Sequence, residues 1–150
     1  MNPAHPHVAV IGAGISGLTA GKMLKDYGVR YTTFETSDRI GGNWAFGNPN
    51  GHSSAYRSLH IDTSKDRLSF KDYPMPAHYP SFPHHSEVKA YLDDYADVFG
   101  LLDHIEFGNG VVHAARAEDG GWLIRDQAGA ERRFDLLVVG NGHHWDPRLP

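Results

Sequence analysis

"HVAVIGAGISGLTAGKMLKDYGVRYTTFE", residues 7–35, decides the fold. Residues 7–11, "HVAVI", form a short Val-rich apolar run that ends at glycine, which predicts a buried strand. Residues 15–27 predict a helix: Leu18, Met23, Leu24 and Tyr27 give it an apolar face, and Gly28 stops it. Residues 30–35, "RYTTFE", are β-branched and aromatic and predict a second strand. Strand, tight glycine turn, helix and strand in that order make a crossover unit, and a crossover joins two parallel strands.

The turn reads "GAGISG", which places Gly12, Gly14 and Gly17 in a G-x-G-x-x-G spacing. The spacing means little alone, but here it follows a predicted strand and opens a predicted helix, the context the motif requires. Gly12 permits the tight turn, Gly14 lets the backbone approach a pyrophosphate, and Gly17 lets the helix pack close to the strand. The helix start offers unpaired N–H groups and a positive dipole to phosphates. Ser16 adds a hydroxyl there. Glu35 closes the second predicted strand 21 residues after Gly14, near the spacing of a carboxylate that accepts from ribose hydroxyls. A carboxylate at that place also disfavours a 2′-phosphate.

Outward from this unit the chain loses its regularity. Residues 41–84 carry Gly, Pro, Asn, Ser and His throughout and predict mostly loop, with a short helix near 64–68. "SEVKAYLDDYADVFG" predicts a second helix, with Ser86 as N-cap, Val88, Tyr91, Leu92, Tyr95, Val98 and Phe99 at helical spacing, and Gly100 at its end. Four short strands are expected at 105–107, 111–117, 121–125 and 131–135, together a small antiparallel meander. "LLVVGNGHH", 136–144, predicts a buried parallel strand that delivers a glycine turn to the carboxyl edge of a sheet. The fold class is therefore α/β: a Rossmann-like unit with a parallel sheet and a small antiparallel meander.

Bulk properties narrow the function. The 150 residues suggest one domain, and a formal charge of −4 argues against nucleic acid or an anionic membrane as partner. No apolar run is long enough for a transmembrane segment. There is no cysteine, which excludes disulfides, thiolate metal sites and Cys nucleophiles, and which fits a cytoplasmic chain. The eleven histidines show no metal-ligand spacing, so no metal site is expected.

The choice between NAD and FAD turns on the residues after Glu35. "TSDRIGGNW" brings Arg39 and a second glycine pair, Gly41-Gly42. A nicotinamide site has no need of a second turn there, whereas FAD is longer and must be followed from adenine toward its ring. The E-x-x-x-R-x-G-G-x-W pattern resembles the FAD fingerprint of flavoprotein monooxygenases. With "YRSLHIDTSKDRLSFKDYPMP" (56–76), "YPSFPHHSEVKAYLDDYADVFGL" (79–101), "IEFGNGV" (105–111) and "FDLLVVGNGHHWDPRLP" (134–150), the chain resembles the flavin-containing monooxygenases nearly end to end, in that family's order. Amine oxidases share the early fingerprint but usually place Arg after the glycine pair. Baeyer–Villiger monooxygenases share Gly-Gly-x-Trp and continue with a different loop.

The resemblance implies roles for residues. Gly12, Ala13, Gly14, Ile15 and Ser16 take the pyrophosphate, Gly17 completes the cofactor-binding loop, and Glu35 takes the adenosine ribose. Asn43 and Trp44 lie along the flavin, Arg39 and Gly42 also bind the cofactor, and Asp62 and Thr63 approach its ring. Val111 contacts adenine through its backbone, and the turn at Gly142 returns to the pyrophosphate. The irregular stretch 56–76 becomes a flavin-facing loop, ordered by the cofactor rather than by its own packing. The resemblance also implies the chemistry: NADPH reduces FAD, O2 is captured as a C4a-hydroperoxyflavin, and an amine or sulfide is oxygenated. The protein holds the flavin, excludes water and stabilises the intermediate.

Two departures stand out. The family usually has Asn where this chain has Asp62; an amide can donate to the flavin, and a carboxylate only accepts. Asp62 is expected to be protonated, hydrogen-bonded away from the ring, or damaging to the intermediate; a plainer expectation is that it caps the turn before Ser64-Lys65. Second, no further G-x-G-x-x-G is present. Residues 1–150 are therefore expected to be the N-terminal portion of an FAD-binding domain with no NADPH-binding domain, at most able to bind FAD alone. Exposed apolar surface is expected along 136–139 and 7–11. A Baeyer–Villiger-type or other FAD oxidoreductase fragment, and a non-catalytic flavin-binding module, are the alternatives. Oligomeric state is not readable from the residues.

Overall fold

The computed structural model describes residues 5–146. β1 (His7–Ile11), α1 (Ile15–Asp26) and β2 (Arg30–Phe34) form the expected crossover, with the strands parallel from His7 opposite Arg30 to Ile11 opposite Phe34. β1 is buried on both faces. Val8 and Val10 pack with Tyr31, Leu24 and Val29, while Ala9 packs on the opposite face with Phe34, Ile124 and Phe134. That continuous burial is why the strand shows an unbroken apolar run rather than an alternating one.

Both long helices stop as glycine dictates. Val29 N–H reaches Leu24 O (2.8 Å) and Gly28 N–H reaches Lys25 O (3.0 Å), the paired bonds of a Schellman end, with Gly28 at φ +64°. The second of these helices ends the same way: Leu101 N–H reaches Ala96 O (2.8 Å) and Gly100 N–H reaches Asp97 O (2.9 Å).

A one-turn helix, α2 (Lys65–Leu68), precedes that longer helix, α3 (His85–Val98). The start of α3 differs from the expected Ser86 cap. His84 is the N-cap: its ring nitrogen accepts from Ser86 N–H (3.3 Å), and the Glu87 carboxylate accepts from His84 N–H (2.8 Å). Glu87 lies three residues after His84, so the reciprocal capping box is set there and Ser86 falls inside the helix.

Four strands make the main sheet in the order β3-β2-β1-β7, all parallel, where β3 is Ile105–Glu106 and β7 is Leu136–Val139. β3 corrects the expectation that 105–107 joins the meander. It pairs with β2 through Thr33–Ile105 and Phe34–Glu106, because α3 carries the chain back to that sheet edge. A strand pattern identifies a strand but not its partner. The meander proper is β4 (Val111–Arg116), β5 (Trp122–Asp126) and β6 (Glu131–Phe134). It packs Ile124 and Phe134 against Ala9 and Phe34.

Within the stretch 56–76, expected to be ordered by a cofactor, and on to residue 84, the chain has packing of its own. Ile61 N–H bonds Pro83 O (3.0 Å), His85 N–H bonds Leu59 O (2.9 Å), and Lys65 N–H bonds Ser81 O (2.8 Å). Lys65 Nζ caps the carbonyls of Ala77 (2.8 Å) and Tyr79 (2.7 Å). Ile61 and Met75 are buried with Val88, Tyr91, Leu92 and Tyr95 of α3. The irregular sequence is one long wrap around α3.

The expected apolar exposure holds on β7 and fails on β1. Leu136 and Val139 are 52% and 62% exposed, whereas Val8, Ala9 and Val10 are at most 1% exposed. β7 ends the row of strands, while β1 lies in its middle.

Among the described residues, one ion pair joins the two sheets. Arg132 on β6 forks onto Glu106 on β3, with both N–O distances 2.7 Å. The guanidinium holds the Glu106 carboxyl below its ordinary range, against the opposing effect of burial. A carboxyl depressed by folding stabilises above its unfolded pKa, and that contribution is lost as pH falls through the folded one. Glu106→Gln is therefore expected to flatten the acid limb of a Tm-versus-pH curve. Parallel curves for the two proteins would contradict this.

Candidate dinucleotide site

Close backbone packing builds the site at the carboxyl ends of β1 and β2. Gly12 sits at φ +91°, and a Cβ there would stand 2.5 Å from Gly140 O, in the turn after β7. At Gly17 a Cβ would lie 1.8 Å from Gly12 O. These two glycines let the loop and the first turn of α1 close on each other, as their spacing implied. Gly12 N–H bonds Phe34 O (2.8 Å) and Gly140 N–H bonds Ile11 O (2.8 Å), so the loop is tied to both neighbouring strands.

The second glycine pair has a structural role that the sequence did not reveal. Gly41 N–H bonds Ala13 O (3.0 Å), and a Cβ on Gly42 would come within 3.1 Å of Gly14 Cα. The Gly42–Trp44 turn therefore rests directly on the first glycine loop.

α1 starts without a side-chain cap and without an acidic residue in its first turn. Its first three N–H groups, on Ile15, Ser16 and Gly17, have no intrahelical acceptor by helix geometry, and none is supplied by other described residues. Ser16 is exposed beside them. Three aligned donors at the positive end of a helix favour an anion.

Glu35 is 5% exposed. Its Oε2 accepts from Ala13 N–H (2.7 Å), and its Oε1 accepts from Ser37 N–H (2.8 Å) and Thr36 Oγ1 (3.2 Å). A carboxylate offers about four acceptor positions, so one remains for a ligand hydroxyl. Glu35 therefore also holds the glycine loop to the end of β2. No local pattern signals this tie, although the spacing that suits a ribose also brings the acid level with Ala13.

The other expected site residues are placed unequally. Arg39 is exposed and forks onto its neighbour Asp38 (2.6 and 3.0 Å). Asn43 Oδ1 accepts from Ser54 N–H (2.8 Å), and its carbonyl accepts from Ser53 Oγ (2.7 Å). Trp44 is half-buried against the α3 cluster. Val111 opens β4 and packs on Ala9 and Phe34. Asp62 and Thr63 are exposed beside buried Ile61. The Asp62 side chain makes no hydrogen bond among the described residues, and Ser64 rather than Asp62 is the N-cap of α2, so the turn-capping expectation is not met.

Gly142, at φ +74°, lies in the exposed turn after β7. That turn is latched across the fold: Trp145 stacks on His52 (4.4 Å), Trp145 Nε1 donates to Asn141 O (3.0 Å), and Ser54 Oγ donates to His144 O, with His52 and Ser54 outside every quoted motif. The end of the "GHHWDPRLP" segment, 147–150, lies outside the described residues. A cavity of about 730 Å³ opens at the opposite, amino end of the strands, lined by His7, Tyr27, Arg30 and Arg133 among others, and includes none of the glycine loop.

A parallel βαβ unit with a glycine-cradled helix start and a buried acid at the end of its second strand defines a Rossmann-like dinucleotide-binding protein. Residues 5–150 match the family described as FMO-like, flavin-binding monooxygenase-like, and the chain belongs to that family. It is 42% identical to flavin-containing monooxygenase 5 of Rattus norvegicus over 98% of this chain and 29% of that protein. The chain thus spans under a third of that relative's length. Among solved structures it resembles S-allyl-L-cysteine S-oxygenase from Allium sativum, with TM-score 0.88 and 32% identity over 97% of this chain and 38% of that one. It also resembles an oxidised steroid monooxygenase bound to NADP, with TM-score 0.80 and 28% identity over 91% of this chain and 26% of that one. The rat protein and the steroid enzyme are named as monooxygenases, and so oxidoreductases.

Glu35→Ala would leave the buried N–H groups of Ala13 and Ser37 without acceptors. A loss of about 1–3 kcal/mol is expected for each unsatisfied group, with no ligand present. Urea unfolding measures it, and unchanged stability would limit Glu35 to ligand binding.

Proposed function

We propose that residues 1–150 form the N-terminal portion of the FAD-binding domain of an NADPH- and O2-dependent monooxygenase that oxygenates soft nucleophiles, amines or sulfides. The observation that carries this is the uncapped start of α1, three donors set by Gly12, Gly14 and Gly17 beside a buried acid that retains one acceptor position. FAD is favoured over NAD because a second glycine turn is stacked on the first. That gives a long ligand a continuous backbone path beyond the pyrophosphate.

In this reading Gly14, Ile15, Ser16 and Gly17 hold the pyrophosphate. Gly12 and Ala13 shape the loop, because the Ala13 N–H is already bonded to Glu35. Glu35 accepts from the adenosine ribose, and Val111 lies by adenine. Gly42, Asn43 and Trp44 lead toward the flavin, with Asp62 and Thr63 at its ring and the Gly142 turn over the pyrophosphate. Arg39, forked onto Asp38, would have to exchange that partner to reach the cofactor. The bound flavin would supply the redox chemistry, taking reducing equivalents from NADPH and passing one oxygen atom of O2 to the substrate. The side chains orient it and keep water away.

The names of the relatives support parts of this reading: flavin in the rat protein, sulfur oxygenation in the garlic enzyme, NADP in the steroid monooxygenase. A cytoplasmic setting belongs to the same proposal, to be checked by cell fractionation. No helix among the described residues is long and apolar enough to cross a membrane.

The isolated chain is expected to quench FAD fluorescence on binding. It should gain about 2.7 kcal/mol of stability at FAD one hundred times Kd. A protein whose Tm no FAD concentration moves would overturn the proposal. Asp62 has its own test, in a chain that carries the NADPH-binding half. An ionised carboxylate at the ring repels a reduced, anionic flavin. Asp62→Asn should therefore slow reoxidation of the reduced flavin by O2 in stopped-flow absorbance. An unchanged rate would remove Asp62 from the chemistry.

A further inference from the structure

Three segments meet beside Glu35: the chain leaving β2, the loop 107–110 between β3 and β4, and the turn 127–130 between β5 and β6. Their main chains are interleaved. Glu35 N–H bonds Glu106 O (3.0 Å), Asn109 N–H bonds Glu35 O (2.9 Å), and Gly108 N–H bonds Ser37 O (2.9 Å). Gly110 N–H bonds Gln127 Oε1 (2.9 Å), and Gln127 N–H bonds Gly110 O (2.8 Å). Val111 is the next residue. The separation of Glu35 from Val111 is thus set by this junction.

The junction is held by charge. Besides its fork onto Glu106, Arg132 Nη2 approaches Asp126 Oδ2 (3.3 Å), on a residue only 2% exposed. The guanidinium also lies over the Phe34 ring, 4.6 Å from its centroid. Asn109 Nδ2 donates to both acids, 3.1 Å to Glu106 Oε2 and 3.1 Å to Asp126 Oδ2. Its Oδ1 is buried with no donor among the described residues. An orphaned buried acceptor is costly, so the amide is oriented by the two carboxylates rather than by its own full satisfaction.

Two carboxylates that share one amide repel each other unless a cation stays between them. Arg132 is that cation. Partly exposed pairs contribute little to overall stability, which makes a purely stabilising role a poor account of so complete a network. We propose that Arg132 is a positioning residue. With Glu106, Asp126 and Asn109 it clamps the Glu35 segment against the Val111 segment, so that the site selects a flavin carrying an adenosine end. The inference rests on the FAD reading above and deepens it. A lysine keeps the charge but cannot fork onto a carboxylate.

The test is calorimetric titration of the chain and its Arg132→Lys variant with FAD, ADP and FMN, alongside thermal melting. The loss of one charge-assisted contact of roughly 1.4 kcal/mol weakens FAD and ADP by the same factor, about tenfold. FMN, which has no adenosine, is expected to bind the two proteins alike. Glu106→Gln keeps the side-chain shape and is expected to reproduce the pattern if Arg132→Lys does not fold. FAD affinity unchanged in a folded variant, or an equal loss for FMN, would overturn the clamp. Wild-type chain that binds neither FAD nor ADP would overturn the FAD reading itself and the clamp with it.

Discussion

The carboxyl edge of this protein depends on backbone meeting backbone. Gly12 lies against Gly140, Gly17 against Gly12, and Gly42 against Gly14, each too closely for a side chain without a shift. Three separate stretches of sequence, after β1, after β2 and after β7, are thereby stacked into one surface. A Cβ at Gly12 or Gly17 would push backbone atoms apart, which nearby side chains cannot relieve by changing rotamer. The unpaired N–H groups at the start of α1 lie beside the same contacts. The helix begins at Gly14, a residue with no side chain to cap it.

Electrostatics complete what the glycines allow. Glu35 fastens the loop to the end of β2 through Ala13, and the main-chain bonds of Glu35 to Glu106 and Asn109 fasten that end to β3 and the loop beyond it. Arg132 then reaches across from the meander to the same strand. The meander is therefore more than a cover for Ala9 and Phe34. It is coupled to the acid that the dinucleotide reading places on the ribose.

The irregular region 59–84 is ordered in a different way. It has few regular elements, yet its backbone groups pair with one another and its apolar residues enter the α3 cluster. Lys65 serves the carbonyls that the turns leave over. A loop so pinned holds Asp62 and Thr63 at the surface beside buried Ile61.

Much of the fold was legible because local pattern and physical cause coincide. The apolar run of β1, the glycine stops at Gly28 and Gly100, and the Gly12–Gly17 spacing each act within a few residues, where sequence alone determines geometry. The family resemblance was legible for the same reason, as short motifs in order. Pairing and packing were not. That Ile105–Glu106 joins the parallel sheet, that Gly42 rests on Gly14, that His84 rather than Ser86 caps α3, and that Glu35 is already partly used by Ala13 depend on residues distant in sequence or on competition between neighbours. Periodicity names an element and not its partner, and a carboxylate's spacing does not say how many of its lone pairs the protein will occupy. Those choices were made only when the chain closed on itself.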